Sequence, residues 1–159
     1  MTIDAAGIMT RKVFTVRPEA TVAEISKVLS QHGISAVPVC DDDGKLVGMV
    51  SEGDLMRPFA KANALRRSWW LGMIAEGTDL APEFVDYLRL DRHCARDLMT
   101  KEVITAGEGT RVTEIADLLA SHHIKRVPIL REGKLVGIVS RADIVAALAR
   151  SPKELSEPS

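Results

Sequence analysis

Aromatic residues are scarce in this sequence. Two Trp, one Tyr and three Phe make up 4% of 159 residues, and the two Trp, Trp69 and Trp70, are adjacent. Large apolar surface is therefore concentrated in one place rather than spread through a core. Cysteine is scarcer still: Cys40 and Cys94 stand far apart and neither belongs to a C-x-x-C pair. A disulfide framework or a zinc knuckle has little support, and reduced thiols in the cytoplasm are the expectation. Charge of one sign is also lacking, since 21 Lys and Arg face 22 Asp and Glu. A net charge of -1 offers no electrostatic grip on a polyanion and argues against nucleic acid as the main partner. No apolar run reaches the roughly 18 residues that cross a bilayer. Met1, Thr2, Ile3 and Asp4 carry neither the basic nor the apolar region of a secretory signal, so a location away from the membrane is expected. Catalytic grammar is missing too, with no G-x-S-x-G, H-E-x-x-H, P-loop or G-x-G-x-x-G, which points away from an enzyme.

What is present is a soluble, globular composition, 46% hydrophobic and 27% charged. The chain repeats itself. Met9-Thr10 recurs as Met99-Thr100, Val13 as Val103, Val22-x-Glu24-Ile25 as Val112-x-Glu114-Ile115, and Val37-Pro38 as Val127-Pro128, all at an offset of 90. One residue is then lost in a turn, and at an offset of 89 Gly44-Lys45-Leu46-Val47-Gly48 recurs as Gly133-Lys134-Leu135-Val136-Gly137. Each copy spans about 50 residues, too few for a comfortable core alone, so the two are expected to pack together. The boundaries read as 7–57 for the first copy, 58–95 for a connecting insertion, 96–150 for the second copy and 151–159 for a disordered tail.

Within a copy, Val13 to Val16 reads as a short strand stopped by Pro18. Thr21-x-x-Glu24 is a capping box that opens a helix whose apolar positions Val22, Ile25, Val28 and Leu29 share a face, and Gly33 suits its exit. The second copy keeps Val112, Ile115, Leu118 and Leu119, with His123 in place of the glycine. Strands follow at Ala36 to Cys40 and Leu46 to Val50 around an Asp43-Gly44 turn, and a second helix starts near Ser51. The unit is strand, helix, strand, strand, helix, twice. In the insertion, Pro82 with Phe84, Val85 and Leu88 suggests a short helix. Four histidines lack any H-x-x-x-H spacing, so no metal site is expected, and His32 and His122 suit helix C-termini.

Each copy closes with G-h-h-S-x-x-D, as Gly48-Met49-Val50-Ser51-Glu52-Gly53-Asp54 and Gly137-Ile138-Val139-Ser140-Arg141-Ala142-Asp143. With the paired Met-Thr and Val-Pro, this resembles a tandem CBS domain pair, or Bateman module. The resemblance covers about two thirds of the chain. It implies an α/β (α+β) fold of two β-α-β-β-α repeats in a pseudo-twofold arrangement, with the helical insertion between them.

Read as chemistry, a Ser at a helix start adds a hydroxyl to N–H groups that favour phosphate. An Asp can accept from the vicinal hydroxyls of a ribose, and each such bond to a charged group contributes roughly 1.5 to 3 kcal/mol. The plainer alternative is that Ser-x-x-Asp is only an N-cap with an acidic third residue. The resemblance implies two clefts between the repeats. One joins Ser51 and Asp54 to Val103, Ile104, Ile124, Lys125 and Arg126; the other joins Ser140 and Asp143 to Val13, Phe14, Ile34, Ser35 and Ala36. Lys125-Arg126 replaces Ser35-Ala36, which gives the first set two extra cations for a phosphate chain, and Arg141 stands within reach of the second or faces solvent.

The function so implied is a regulatory sensor of an adenine nucleotide (AMP, ADP or ATP, with NAD or S-adenosylmethionine also open), working as a homodimer on a separate, unknown client protein. Two rivals stand beside it. One is an interaction scaffold using Trp69 and Trp70; the other is a nucleotide-processing enzyme.

Overall fold

The computed structural model describes residues 3–57 and 93–153. Residues 58–92 of the expected insertion, with Trp69, Trp70 and its helix, lie outside the described residues, as do residues 154–159 of the expected tail.

In the first copy a short helix α1 (Ala5–Ile8) precedes α2 (Val22–His32), the hairpin strands β1 (Ala36–Cys40) and β2 (Leu46–Ser51), and a helix α3 over 52–57. The second copy repeats this as α4 (Ala95–Leu98), β3 (Ala106–Gly107), α5 (Val112–Ser121), β4 (Arg126–Arg131), β5 (Lys134–Ser140) and α6 (Arg141–Arg150). Helix α2 forms where its cap predicts it. The Thr21 hydroxyl accepts the Glu24 N–H at 3.1 Å, Ile25 and Leu29 are buried four residues apart, and Gly33 closes the helix at φ 60°. In α5 the buried stripe is Val112, Ile115 and Leu119. Its N-cap is Arg111, which makes no side-chain cap bond, and His123 takes the left-handed exit at φ 53°.

The expected first strand is corrected. In the first copy Val13 to Thr15 carry no ladder, and pairing is reduced to one parallel bridge, Val16 to Val39, with the Val16 N–H donating to the Pro38 carbonyl at 3.0 Å. The second copy keeps the matching bridge, Ala106 to Ile129, and adds Gly107 to Leu130. Proline explains both limits. Pro38 and Pro128 have no N–H with which to extend the ladder toward the N-terminus, and Pro18 blocks extension the other way where the second copy has Glu108. The hairpins turn as expected, with Gly44 at φ 82° and Gly133 at φ 80°.

The residues fall into two compact units that do not follow the copies. Among the described residues, one comprises 3–15, 40–46 and 102–153; the other comprises 16–39, 47–57 and 93–101. In the first unit, α1 serves the second copy: Ala5 and Ala6 donate to the carbonyls of Thr110 and Glu108 at 2.8 and 3.0 Å, and Thr10 exchanges both backbone bonds with Ile138. Ala5 and Met9 join Val112, Ile115, Leu119, Val127, Ile129, Val139 and Ile144 in its core. In the other unit α4 does the same for the first copy. Ala95 and Arg96 donate to Ala20 and Pro18 at 2.9 Å, Thr100 pairs with Met49, and Ala95 packs with Val16, Ile25, Leu29, Val37, Val39 and Val50. Each copy's leading helix thus completes the other copy's core, which answers the shortage of apolar residues in about 50 residues of chain.

This exchange explains two glycines. A Cβ on Gly48 would stand 2.5 Å from Met99 Sδ, and one on Gly137 would stand 2.5 Å from Met9 Sδ. Each incoming Met lies flat on a strand that has no side chain beneath it.

Candidate functional site

The two Ser-x-x-Asp segments fold into nearly identical boxes at the starts of α3 and α6. The Ser51 hydroxyl accepts the Asp54 N–H at 3.2 Å, while Asp54 Oδ2 accepts the Ser51 N–H at 2.8 Å and the Ser51 hydroxyl at 3.0 Å. In the second copy the same three contacts measure 3.3, 2.8 and 3.1 Å for Ser140 and Asp143. Strand geometry delivers the Ser in extended conformation, φ -106° and ψ 169° at Ser140, so its side chain points back over the first turn. The capping alternative therefore describes the geometry. A ligand role has to use what capping leaves over.

Less is left over than the bare motif suggests. The first helical N–H is also engaged: Glu52 donates to the Ser35 carbonyl at 2.9 Å and Arg141 to the Lys125 carbonyl at 3.1 Å. The remaining first-turn donors are the N–H groups of Gly53 and Ala142. On each Asp, Oδ2 already accepts twice, which leaves Oδ1. Here the copies part. Asp54 is 6% exposed and its Oδ1 accepts from the guanidinium of Arg57, one turn along the same helix. Asp143 is half-buried, the matching residue is Ala146, and its Oδ1 has no partner among the described residues. Arg57 was missed from the sequence, although an Asp and an Arg three apart on a helix face each other and gave the signal.

The other expected residues divide between the units. Val13, Phe14, Val103, Ile104, Ile124, Lys125 and Arg126 lie in the unit that holds Ser140 and Asp143, and Ile34, Ser35 and Ala36 lie in the unit that holds Ser51 and Asp54. Each expected set thus draws on both units. Within a unit the structure joins Ser35 to the start of α3, and places Arg126 directly across the hairpin from Ser140. Ile34 and Ile124 are half-buried against their cores, Ala36 is buried, and Val13, Val103 and Ile104 are half-buried. Phe14 is 36% exposed. Lys125 is exposed, and the Arg141 Nε donates to the Ile124 carbonyl at 3.2 Å, so Arg141 braces the strand entry in its own unit.

Neither thiol has the electropositive, exposed setting of a nucleophile. Burial, reinforced by the charge of Asp41, pushes the Cys40 thiol up. Cys94 instead donates its N–H and S–H to Asp97 at 3.0 and 3.3 Å, and these bonds hold the Asp97 carboxyl below its usual value. Among the described residues no three His, Cys, Asp or Glu side chains converge as metal ligands, and no helix is long and apolar enough to cross a membrane.

Comparison with known proteins places this geometry in a family. A family model described as CBS domain matches residues 5–61 and 95–150. An uncharacterised protein of Methanocaldococcus jannaschii is 30% identical over 146 residues, 87% of each chain. The chloroplastic CBS domain-containing protein CBSX1 of Arabidopsis thaliana is 31% identical over 144 residues, 87% of this chain and 61% of that one. Among solved structures, CBSX2 in complex with AMP superposes with a TM-score of 0.70 at 25% identity, covering 94% of this chain and 98% of that one.

Proposed function

Because this chain belongs to the CBS domain family, we propose that it is a regulatory sensor of an adenine nucleotide, binding without turnover and acting on a separate client. The observation that carries this reading is the pair of matching Ser-x-x-Asp boxes, each presenting one first-turn N–H beside a carboxylate. An N–H at a helix start suits a phosphate oxygen, and a carboxylate suits a ribose diol. A solved relative, CBSX2, binds AMP. The same proposal carries the two residue sets that the resemblance implies, one around Ser51 and Asp54 and one around Ser140 and Asp143, and the division of the chain into copies at 7–57 and 96–150. It also carries a homodimer in the cytoplasm.

Signalling then follows from differential affinity. A ligand that binds one conformation of the module better than another shifts their populations, and a client that reads one conformation senses the ligand.

Isothermal titration of the full chain with AMP, ADP, ATP, NAD and S-adenosylmethionine tests the reading. At least one is expected to bind at micromolar affinity, about -8 kcal/mol. Folded protein that binds none of the five at millimolar concentration would leave the scaffold reading in its place.

A further inference from the structure

Asp54 and Asp143 begin from the same box and end differently. On both, Oδ2 is filled by the N–H and hydroxyl of the preceding Ser. On Asp54 the other oxygen is filled as well, by the Arg57 guanidinium, and the carboxylate is almost wholly buried beneath it. On Asp143 the corresponding place belongs to Ala146, whose methyl has nothing to donate, and the carboxylate is half-buried. An incoming diol meets an acceptor with both lone pairs available in one copy. In the other it has to displace a charge-assisted bond before it can form its own.

Resting on the nucleotide-sensing reading, we infer that Arg57 is a built-in competitor for the ribose hydroxyls: Asp143 takes the nucleoside while Asp54 stays masked. The mask is removable. The Arg57 side chain is 52% exposed, so it can swing into solvent without opening the core, and the i,i+3 spacing on one helix returns it to the carboxylate. The two sites of this module are thereby ranked by a single residue, and the second fills only when something draws the guanidinium away.

Titration of the full chain with AMP decides the point. Wild type is expected to show a single site, lost in Asp143→Asn, which keeps an oxygen for the Ser140 N–H. Arg57→Met is expected to show two sites, and Asp54→Asn in that background to return the count to one. The reciprocal change, Ala146→Arg, builds the mask in the second copy and is expected to weaken the wild-type site about tenfold or more, the scale of one charge-assisted bond. Circular dichroism confirms that each variant is folded. Two equal sites in wild type, or a single site in folded Arg57→Met, would overturn the masking while the sensor reading stands. Failure of every chain to bind AMP, ADP, ATP, NAD or S-adenosylmethionine would remove both.

Discussion

Pro18 in the first copy stands where the second has Glu108, and the two copies differ at that point in a way their cores do not. Glu108 lets the parallel ladder run one residue further and pairs with Arg131, whose Nη2 donates to its carboxylate at 2.7 Å. The same contrast recurs at other ends. Thr21 caps α2 where Arg111 leaves α5 uncapped, Gly33 turns the chain where His123 takes the same left-handed region, and Arg57 covers a carboxylate where Ala146 does not. The buried positions, Ile25 and Ile115, Leu29 and Leu119, Val39 and Ile129, Val50 and Val139, are all but interchangeable. Packing density tolerates little change in the interior, whereas an edge residue changes one local contact and leaves the fold intact. Difference between the copies therefore collects where it can alter ligands and stability one step at a time.

The largest test of this symmetry lies under the exchanged methionines. At Gly48 an added Cβ would meet Met99 Sδ at 2.5 Å, Cγ at 2.8 Å and the Thr100 carbonyl oxygen at 3.0 Å. At Gly137 its three nearest neighbours would all be Met9 side-chain atoms, at 2.5, 2.8 and 3.2 Å. A flexible thioether can yield and a bonded backbone cannot. Gly48→Ala is expected to cost about 3 kcal/mol and Gly137→Ala about 1 to 2 kcal/mol, read from urea midpoints. Equal costs would show that the backbone contact does not distinguish the copies. Met9→Ala combined with Gly137→Ala should cost less than the sum of the two, because truncating Met9 removes the Sδ and Cγ atoms that the new Cβ would meet.

The copies, their elements and the Ser-x-x-Asp pair were legible in the sequence because two independent versions of each pattern agreed at a fixed offset. The hairpin ends matched at Ala36 and Cys40, where β-branched residues meet turn signals. Val13 to Val16 misled because its apolar character was read without asking which N–H groups the facing strand could donate, and Pro38 had already answered that. The exchange of α1 and α4 was not legible at all. Four-residue helices carry no periodicity, and their partners lie about 90 residues away, where only tertiary packing decides. Asp54 and Asp143 were found as a pair, yet their inequality rests on position 57, outside the motif.

Smaller effects are expected at the helix ends, where the copies can be converted into one another. Thr21→Ala removes the bond to the Glu24 N–H and should cost about 1 kcal/mol, while Arg111→Thr supplies the missing cap at an extended N-cap, φ -67° and ψ 145°, and should gain about 0.5 to 1 kcal/mol. His123→Gly should gain up to about 1 kcal/mol by relieving a non-glycine φ of 53°, and Gly33→Ala should lose a similar amount. Thermal or urea unfolding of the four variants reads these signs. A gain at Thr21→Ala or a loss at Arg111→Thr would mean that the ends are set by contacts other than their caps.

The smallest effect concerns acid. Asp4 caps α1 through the Gly7 N–H, whereas in the second copy the carboxylate has moved three residues on, to Asp97, which accepts from the Cys94 N–H and S–H. These bonds hold the folded Asp97 pKa below its ordinary 3.8. A lowered folded value means stability that is present above 3.8 and lost as pH falls through the folded pKa, and the exposure of Asp97 keeps its size small. Asp97→Asn should therefore be slightly less stable than wild type at neutral pH, and the two urea midpoints should converge as pH drops below the usual carboxylate range. A gap that persists unchanged into acid would trace the loss to shape rather than charge.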